Sequence, residues 1–219
     1  MVILPHVQTH RLAALLLGAL LVLLAGEAMA IEKAEYEVER SDGAFELRLY
    51  SSHIVAETIV EGDFSKVGNE GFRRLVAYIG GENEKKESIS MTAPVSQERQ
   101  SQKIEMTAPV TQEQQGEAYR ITFLMPSRFS MDELPRPLDS RVRLVEEPGR
   151  RIAAIRYRGT WSESRYREHE EKLRAWIAEQ QLIPTGQKPV WARYDPPFMP
   201  WFLRRNEILI PVTVPESMD

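Results

Sequence analysis

Beyond residue 30 the chain carries only two imidazoles, His53 and His169, and it has no cysteine at all. That count removes thiolate nucleophiles, disulfides, thioether-linked prosthetic groups and metal sites built from several imidazoles. No H-E-x-x-H, no G-x-S-x-G and no phosphate-cradling glycine loop is present either. What remains is a carboxylate, Glu207, in the segment Arg204-Arg205-Asn206-Glu207, with Tyr194 upstream of it. A buried carboxylate beside a tyrosine can be tuned toward general-base work in a hydrolase, can hold an organic cation, or can simply pair with Arg204 or Arg205. Met91 and Met106 offer thioethers, a side chain that more often fills strand cores than binds metal. Trp191, Tyr194, Phe198, Trp201 and Phe202 crowd into one proline-rich stretch, which either walls an apolar pocket or seals the core as a stiff loop.

The elements that must position these residues read as strands interrupted by two helices. Phe45, Leu47 and Leu49 alternate with Glu46, Arg48 and Tyr50, the pattern of a half-buried strand, and His53 to Val60 is a second, β-branched strand. Gly62-Asp63 offers a turn and an N-cap, and Phe72, Leu75, Val76 and Ile79 make one helical stripe that Gly80-Gly81 stops. The same order recurs about 97 residues on, as Ile152-Ala153-Ala154, Gly159-Thr160-Trp161-Ser162 and a helix ending near Trp176-Ile177. Thr160 and Glu163 are spaced as a capping box for that helix, whose inward face is Tyr166, His169, Leu173, Trp176 and Ile177. His169 reads as a hydrogen-bonded core histidine and His53 as a surface residue. Tyr119 to Met125, Arg141 to Glu147 and Asn206 to Val214 complete the strands, with Leu134 to Asp139 as loop. A shorter repeat, M-T-A-P-V, begins at Met91 and again at Met106, each copy reading as strand with a polar hairpin loop between. Two echoing strand-turn-helix units predict a pseudo-twofold α+β domain.

The net charge is −4, with 28 basic and 32 acidic residues, which argues against nucleic acid as a partner. Arg11, the apolar run Leu12 to Leu24 and the Ala28-Met29-Ala30 site read as a secretory signal cleaved after Ala30, leaving 31–219 as the domain. The run is too short to span a bilayer, so no stable membrane insertion is expected after cleavage, and the product is exported, periplasmic or secreted. An uncleaved anchor is the other reading of the same segment.

Phe45 to Tyr50 (FELRLY), Gly71 to Asn83 (GFRRLVAYIGGEN), Met91 to Val95 (MTAPV) and Ala192 to Pro197 (ARYDPP), leading to Arg204 to Ile208 (RRNEI), together resemble the SOUL haem-binding family. Met125-Pro126 and Arg136 to Asp139 fit the same pattern, so the resemblance runs from about Tyr36 to Val214, and the leader looks like that of bacterial exported members.

The resemblance implies a distorted antiparallel β-barrel with two outer helices in pseudo-equivalent halves, similar to bacterial effector-binding domains. It also implies non-enzymatic, non-covalent binding or carriage of b-type haem or a related tetrapyrrole. Carried over by position, Phe72, Val76 and Ala77 face the apolar cleft and Met199 lies at its rim. Arg73, Arg74, Arg204 and Arg205 are the available partners for propionates, or ordinary surface ion pairs. Where some members have an iron-ligating histidine this chain has Leu49, so His53 and Met91 are the remaining metal candidates, and a histidine restored at Leu49 would be expected to sharpen the iron spectrum. The other partner class the architecture implies is an amphipathic or cationic small molecule, with Glu207 as its anionic seat.

Overall fold

The computed structural model describes residues 31–85 and 101–215, and every element below belongs to the unit Glu32–Asp219. The expected leader, residues 1–30, and the first M-T-A-P-V copy with Met91 lie outside the described residues.

The elements run β1 (Tyr36–Asp42), β2 (Phe45–Tyr50), β3 (His53–Glu61), α1 (Phe64–Gly80), β4 (Asn83–Glu84), β5 (Val110–Gln115), β6 (Ala118–Leu124) and β7 (Arg136–Pro137). They continue with β8 (Val142–Glu147), β9 (Arg150–Arg158), α2 (Glu163–Glu179), β10 (Ile183–Pro184), β11 (Val190–Arg193) and β12 (Arg205–Thr213). One curled antiparallel sheet has the order β1-β2-β9-β12-β11-β5-β6-β3-β8, with β10 paired to β12 and a separate β4-β7 pair. The order is palindromic about the β11-β5 junction. β3, α1, β4, β5 and β6 match β9, α2, β10, β11 and β12, and each half lends its first strand to the other: β2 lies on β9, and β8 lies on β3. This is the expected pseudo-twofold α+β fold, a half-barrel with two helices on one face.

Helix α1 packs on β3, β6 and β8, and α2 on β9, β10 and β12. The buried stripe of α2 is Tyr166, His169, Leu173, Trp176 and Ile177, as the spacing predicts. His169 bonds through Nδ1 to the Arg165 carbonyl at 2.7 Å and stacks on Tyr157 at 3.8 Å, and burial holds its pKa below the usual histidine value. Phe64 of α1, Tyr166 of α2 and Trp191 of β11 form one ring cluster with centroids 4.8–5.6 Å apart, joining the halves. Gly71 is needed where α1 crosses β6, because a Cβ there would lie 2.5 Å from the Ile121 Cγ1.

Four local expectations are corrected. The N-cap of α2 is Ser162, without a side-chain cap bond, because β9 and the Gly159 turn (φ 139°) delay the helix past Thr160. The second M-T-A-P-V copy is not strand up to Pro109; β5 opens only at Val110. Trp191, read as loop, lies in β11. Glu46, Arg48 and Tyr50 are not the wet side of a half-buried strand, since Arg48 is 1% exposed: the curl of the sheet covers that face too.

Candidate functional site

On the face away from the helices, the curl forms a cleft of about 80 Å³ whose lining includes Tyr36, Tyr50, Ile152, Val190, Tyr194 and Leu209. Ligand pockets for drug-sized molecules span roughly 300–1,000 Å³, so the cleft admits only a small fragment. On the same face of β12 as the lining residue Leu209, but outside the lining itself, Glu207 has no exposed surface. Its Oε2 accepts from Arg48 Nη1 at 2.7 Å and from the Tyr194 hydroxyl at 2.8 Å. Its Oε1 accepts from Arg48 Nη2 at 3.1 Å, Arg156 Nε at 3.1 Å and Arg205 Nη2 at 2.7 Å. Burial pushes the Glu207 pKa up, but the bonds and charges of Arg48 and Arg205 outweigh it and bring the carboxyl down to about 2. Burial raises Tyr50 to about 12 and Tyr194 well above the usual phenol range. Such groups neither accept nor release protons near neutrality.

The other half repeats this site with its charges exchanged. Arg120 sits between Glu113 of β5 and Ile59 of β3, the positions that Ala192 and Arg156 hold around Glu207. Arg120 donates to Glu57 and Glu147, each at 2.5 Å, and has Glu113 at 3.7 Å. Burial is the larger influence on Glu113 and raises its pKa, whereas for Glu147 the charges of Arg120 and Arg150 overcome burial and lower it.

The residues expected at a tetrapyrrole surface are on the opposite, helix-bearing face or at the β11–β12 connection. Phe72 and Val76 are half-buried against the main core, with the Phe72 ring edge-on to Phe123 at 5.4 Å, and Ala77 is half-buried beside them. Arg73 is exposed, while Arg74 is held by Glu70 and the Ile59 carbonyl. Arg193, where the connection leaves β11, lies 3.0 Å from the space a Cβ on Gly68 would fill, one turn before Phe72. Beyond it Phe198 is 85% exposed, with Trp201 and Phe202 more than half exposed. Arg204 pins this turn by donating to the Met199 and Pro197 carbonyls and lies over the Trp161 ring at 4.4 Å. Arg205 belongs to the Glu207 cluster instead.

Leu49 shares the helix-side face with Leu47, but on β2, beside β9 in the half that carries α2. His53 lines the cleft, with Nδ1 bonded to the Ser51 carbonyl at 3.0 Å. Leu49, His53 and the α1 residues therefore do not meet. Among the described residues, no three His, Asp or Glu side chains group as a metal site, and no helix is long and apolar enough to cross a membrane. The α1 stripe and the aromatic turn present apolar side chains, with Arg73 exposed on the same helix, and neither supplies an imidazole to iron.

Sequence reasoning missed Glu46, Arg48, Arg156, Tyr36 and the whole Arg120 cluster. The alternation in FELRLY was the available signal: it places Glu46, Arg48 and Tyr50 on one face, and only the curl of the sheet makes that face interior.

These features define a duplicated α+β domain with a charged, tyrosine-lined cleft on one face and two helices on the other. The chain belongs to the SOUL heme-binding protein family, which matches it over residues 31–101 and 96–211. The two matched segments overlap between the M-T-A-P-V copies, one copy falling in each. Heme-binding protein 1 of Xenopus laevis is 28% identical over 171 residues, covering 78% of this chain and 84% of the relative. In fold, the chain resembles the EcmrR C-terminal domain (TM-score 0.51, 16% identity, 81% of this chain and 98% of that one). It also resembles a hydrolase from Listeria innocua (TM-score 0.56, 11% identity, 80% and 94%). At those identities the resemblance concerns the fold alone.

Proposed function

We propose that the protein binds and carries haem or a related tetrapyrrole without covalent attachment and without catalysing a reaction on it. The surface of this reading is the helix-bearing side, with Phe72, Val76 and Ala77 of α1, together with the β11–β12 turn, which follows from Arg193 where that residue reaches Gly68 of α1. The observation that carries this reading is the aromatic turn itself: Phe198, Trp201 and Phe202 are held outward, by a backbone that Arg204 pins, in a SOUL-family domain. Large exposed apolar patches mark interaction sites, and flat rings match a flat ligand. With no cysteine, the protein cannot form a thioether link to the ligand.

The hydrolase and cation-binder readings of Glu207 lose support. A carboxyl held near 2 is a poor base at neutral pH, and its oxygens are already claimed by three guanidiniums. The first 30 residues are read as an export signal removed after Ala30, which the intact mass of the exported protein checks.

The test is a haem titration of residues 31–219, followed by absorbance. Saturable Soret growth at micromolar protein is expected, weakened about tenfold or more in Phe198→Ala/Trp201→Ala, since burying one aromatic side chain contributes roughly 1.5–3 kcal/mol. No saturable change in the wild type would overturn the reading, and an unaffected double variant would move the surface elsewhere.

A further inference from the structure

On the other face from the proposed tetrapyrrole surface, and independent of it, the Arg48 side chain is bound as a ligand would be. Its Nε donates to Glu46 Oε2 at 2.7 Å, Nη1 to Glu207 Oε2 at 2.7 Å and to the Tyr50 hydroxyl at 3.1 Å, and Nη2 to Glu207 Oε1 at 3.1 Å. The guanidinium plane lies over the Tyr36 ring with Cζ 4.5 Å from its centroid. Every nitrogen of the head group has an acceptor, and one face has an aromatic lid, the arrangement by which proteins recognise guanidinium and amidinium groups.

The other half does without this residue. The equivalent of Arg48 in the other half is Val145, across from Val55 as Arg48 is across from Ile152. The equivalents of Glu46, Tyr50 and Glu207 are Arg143, Glu147 and Arg120, so no cation seat exists there. The other half closes with a valine at this place, half-buried on the edge strand β8 where no counterpart of β1 covers it. Replacing a buried ion pair by apolar residues is often neutral or stabilising, so architecture alone does not account for the arginine.

We propose that Glu46, Tyr36, Tyr50 and Glu207 form a seat for planar organic cations, of the guanidinium or amidinium class, and that Arg48 is its built-in occupant. Arg48 thereby keeps free cations of that class out of the seat. Deleting its head group leaves Glu207 Oε2 with only the Tyr194 hydroxyl and frees the Glu46 oxygen that Arg48 held. Arg156 and Arg205 still hold Glu207 Oε1 in place, so the carboxylate remains pointed at the vacated space.

The experiment is thermal unfolding of wild type, Arg48→Ala and Arg48→Ala/Glu207→Gln with millimolar methylguanidinium chloride, the head group of the deleted side chain, against matched sodium chloride. Arg48→Ala is expected to unfold at lower temperature than wild type and to regain part of the loss, saturably, with methylguanidinium. Wild type should show no saturable gain, and the double variant should bind about tenfold more weakly or not at all, since the carboxylate that accepts two of the guanidinium's hydrogen bonds is gone. Should Arg48→Ala fail to fold, Arg48→Met keeps the apolar stem and takes its place, and folding of either variant only in the presence of methylguanidinium supports the seat. Equal stabilisation of wild type, rescue that survives Glu207→Gln, or no rescue of any folded or unfolded Arg48 variant overturns the proposal.

Discussion

Arg120 and Glu207 occupy equivalent places in the two halves of one sheet and carry opposite charges, each caged by side chains of the other sign. Duplication of a strand-helix unit supplies the same backbone twice, but the two buried centres have become complementary rather than alike. Neither cage stands at a position where the other half keeps its own. Around Glu207 the arginines are 48, 156 and 205, whereas Val145, Ile59 and Ala118 hold the matching places around Arg120.

Removing the central carboxylate is expected to be costly. Glu207→Gln leaves Arg48, with 1% of its side chain exposed, facing a neutral amide. Breaking one partner out of a buried pair typically costs about 3–5 kcal/mol. Urea unfolding at neutral pH measures it; a loss below about 1 kcal/mol would mean that the cluster rearranges freely.

The same carboxylate predicts a pH dependence. Its folded value of about 2 lies below the ordinary 4.5, so it stabilises the fold fully above pH 4.5, and that contribution is lost as pH falls toward 2. The shift corresponds to about 3 kcal/mol of stability across that window. Urea midpoints measured stepwise through it should fall more steeply for wild type than for Glu207→Gln; parallel curves would assign the acid sensitivity to other groups.

Two glycines of α1 should respond oppositely to alanine. At Gly71 the new Cβ would come within 2.7 Å of both Ile121 Cγ1 and Cβ, whereas at Gly80 nothing lies within 4 Å. The helix propensity gained is about 1 kcal/mol in each case, but overpacking a core costs about 1–3 kcal/mol. Gly71→Ala is therefore expected to lower the thermal midpoint and Gly80→Ala to leave it unchanged or raise it. Calorimetry decides; a stabilised Gly71→Ala would mean that α1 lifts off β6 without penalty.

Leu49→His tests where a tetrapyrrole sits. Leu49 lies on β2 in the half carrying α2, away from Phe72 and Val76 on α1. Binding at the α1 surface predicts a Soret maximum unchanged by the substitution, whereas a sharpened, shifted band would place the iron at β2.

The duplicated architecture was legible in the chain, because strand alternation, a helical stripe and glycine stops are local and recur at a fixed spacing. The inward face of α2 was legible residue by residue for the same reason. Elements set by distant partners were not. β11 is only four residues long, and its strand character comes from pairing with β5 and β12 rather than from its own proline-flanked composition. The start of α2 was missed because the end of β9 is decided by pairing with β12 as far as Arg158–Arg205.

At the site the division is sharper. Glu207 and Tyr194 could be singled out from the sequence alone, since their types mark them as chemically capable wherever they fall. The sequence also excluded thiol chemistry by count and marked the aromatic stretch that becomes the outward turn. What only the tertiary structure decided is which arginines reach Glu207. Arg48, Arg156 and Arg205 come from three strands, and strand exchange between the halves brings β2 beside β9 and so carries Arg48 to its seat. Periodicity can place a side chain on a face. Whether that face is solvent or interior depends on the curl of the whole sheet, and a buried guanidinium becomes tolerable only when carboxylates from other strands arrive with it.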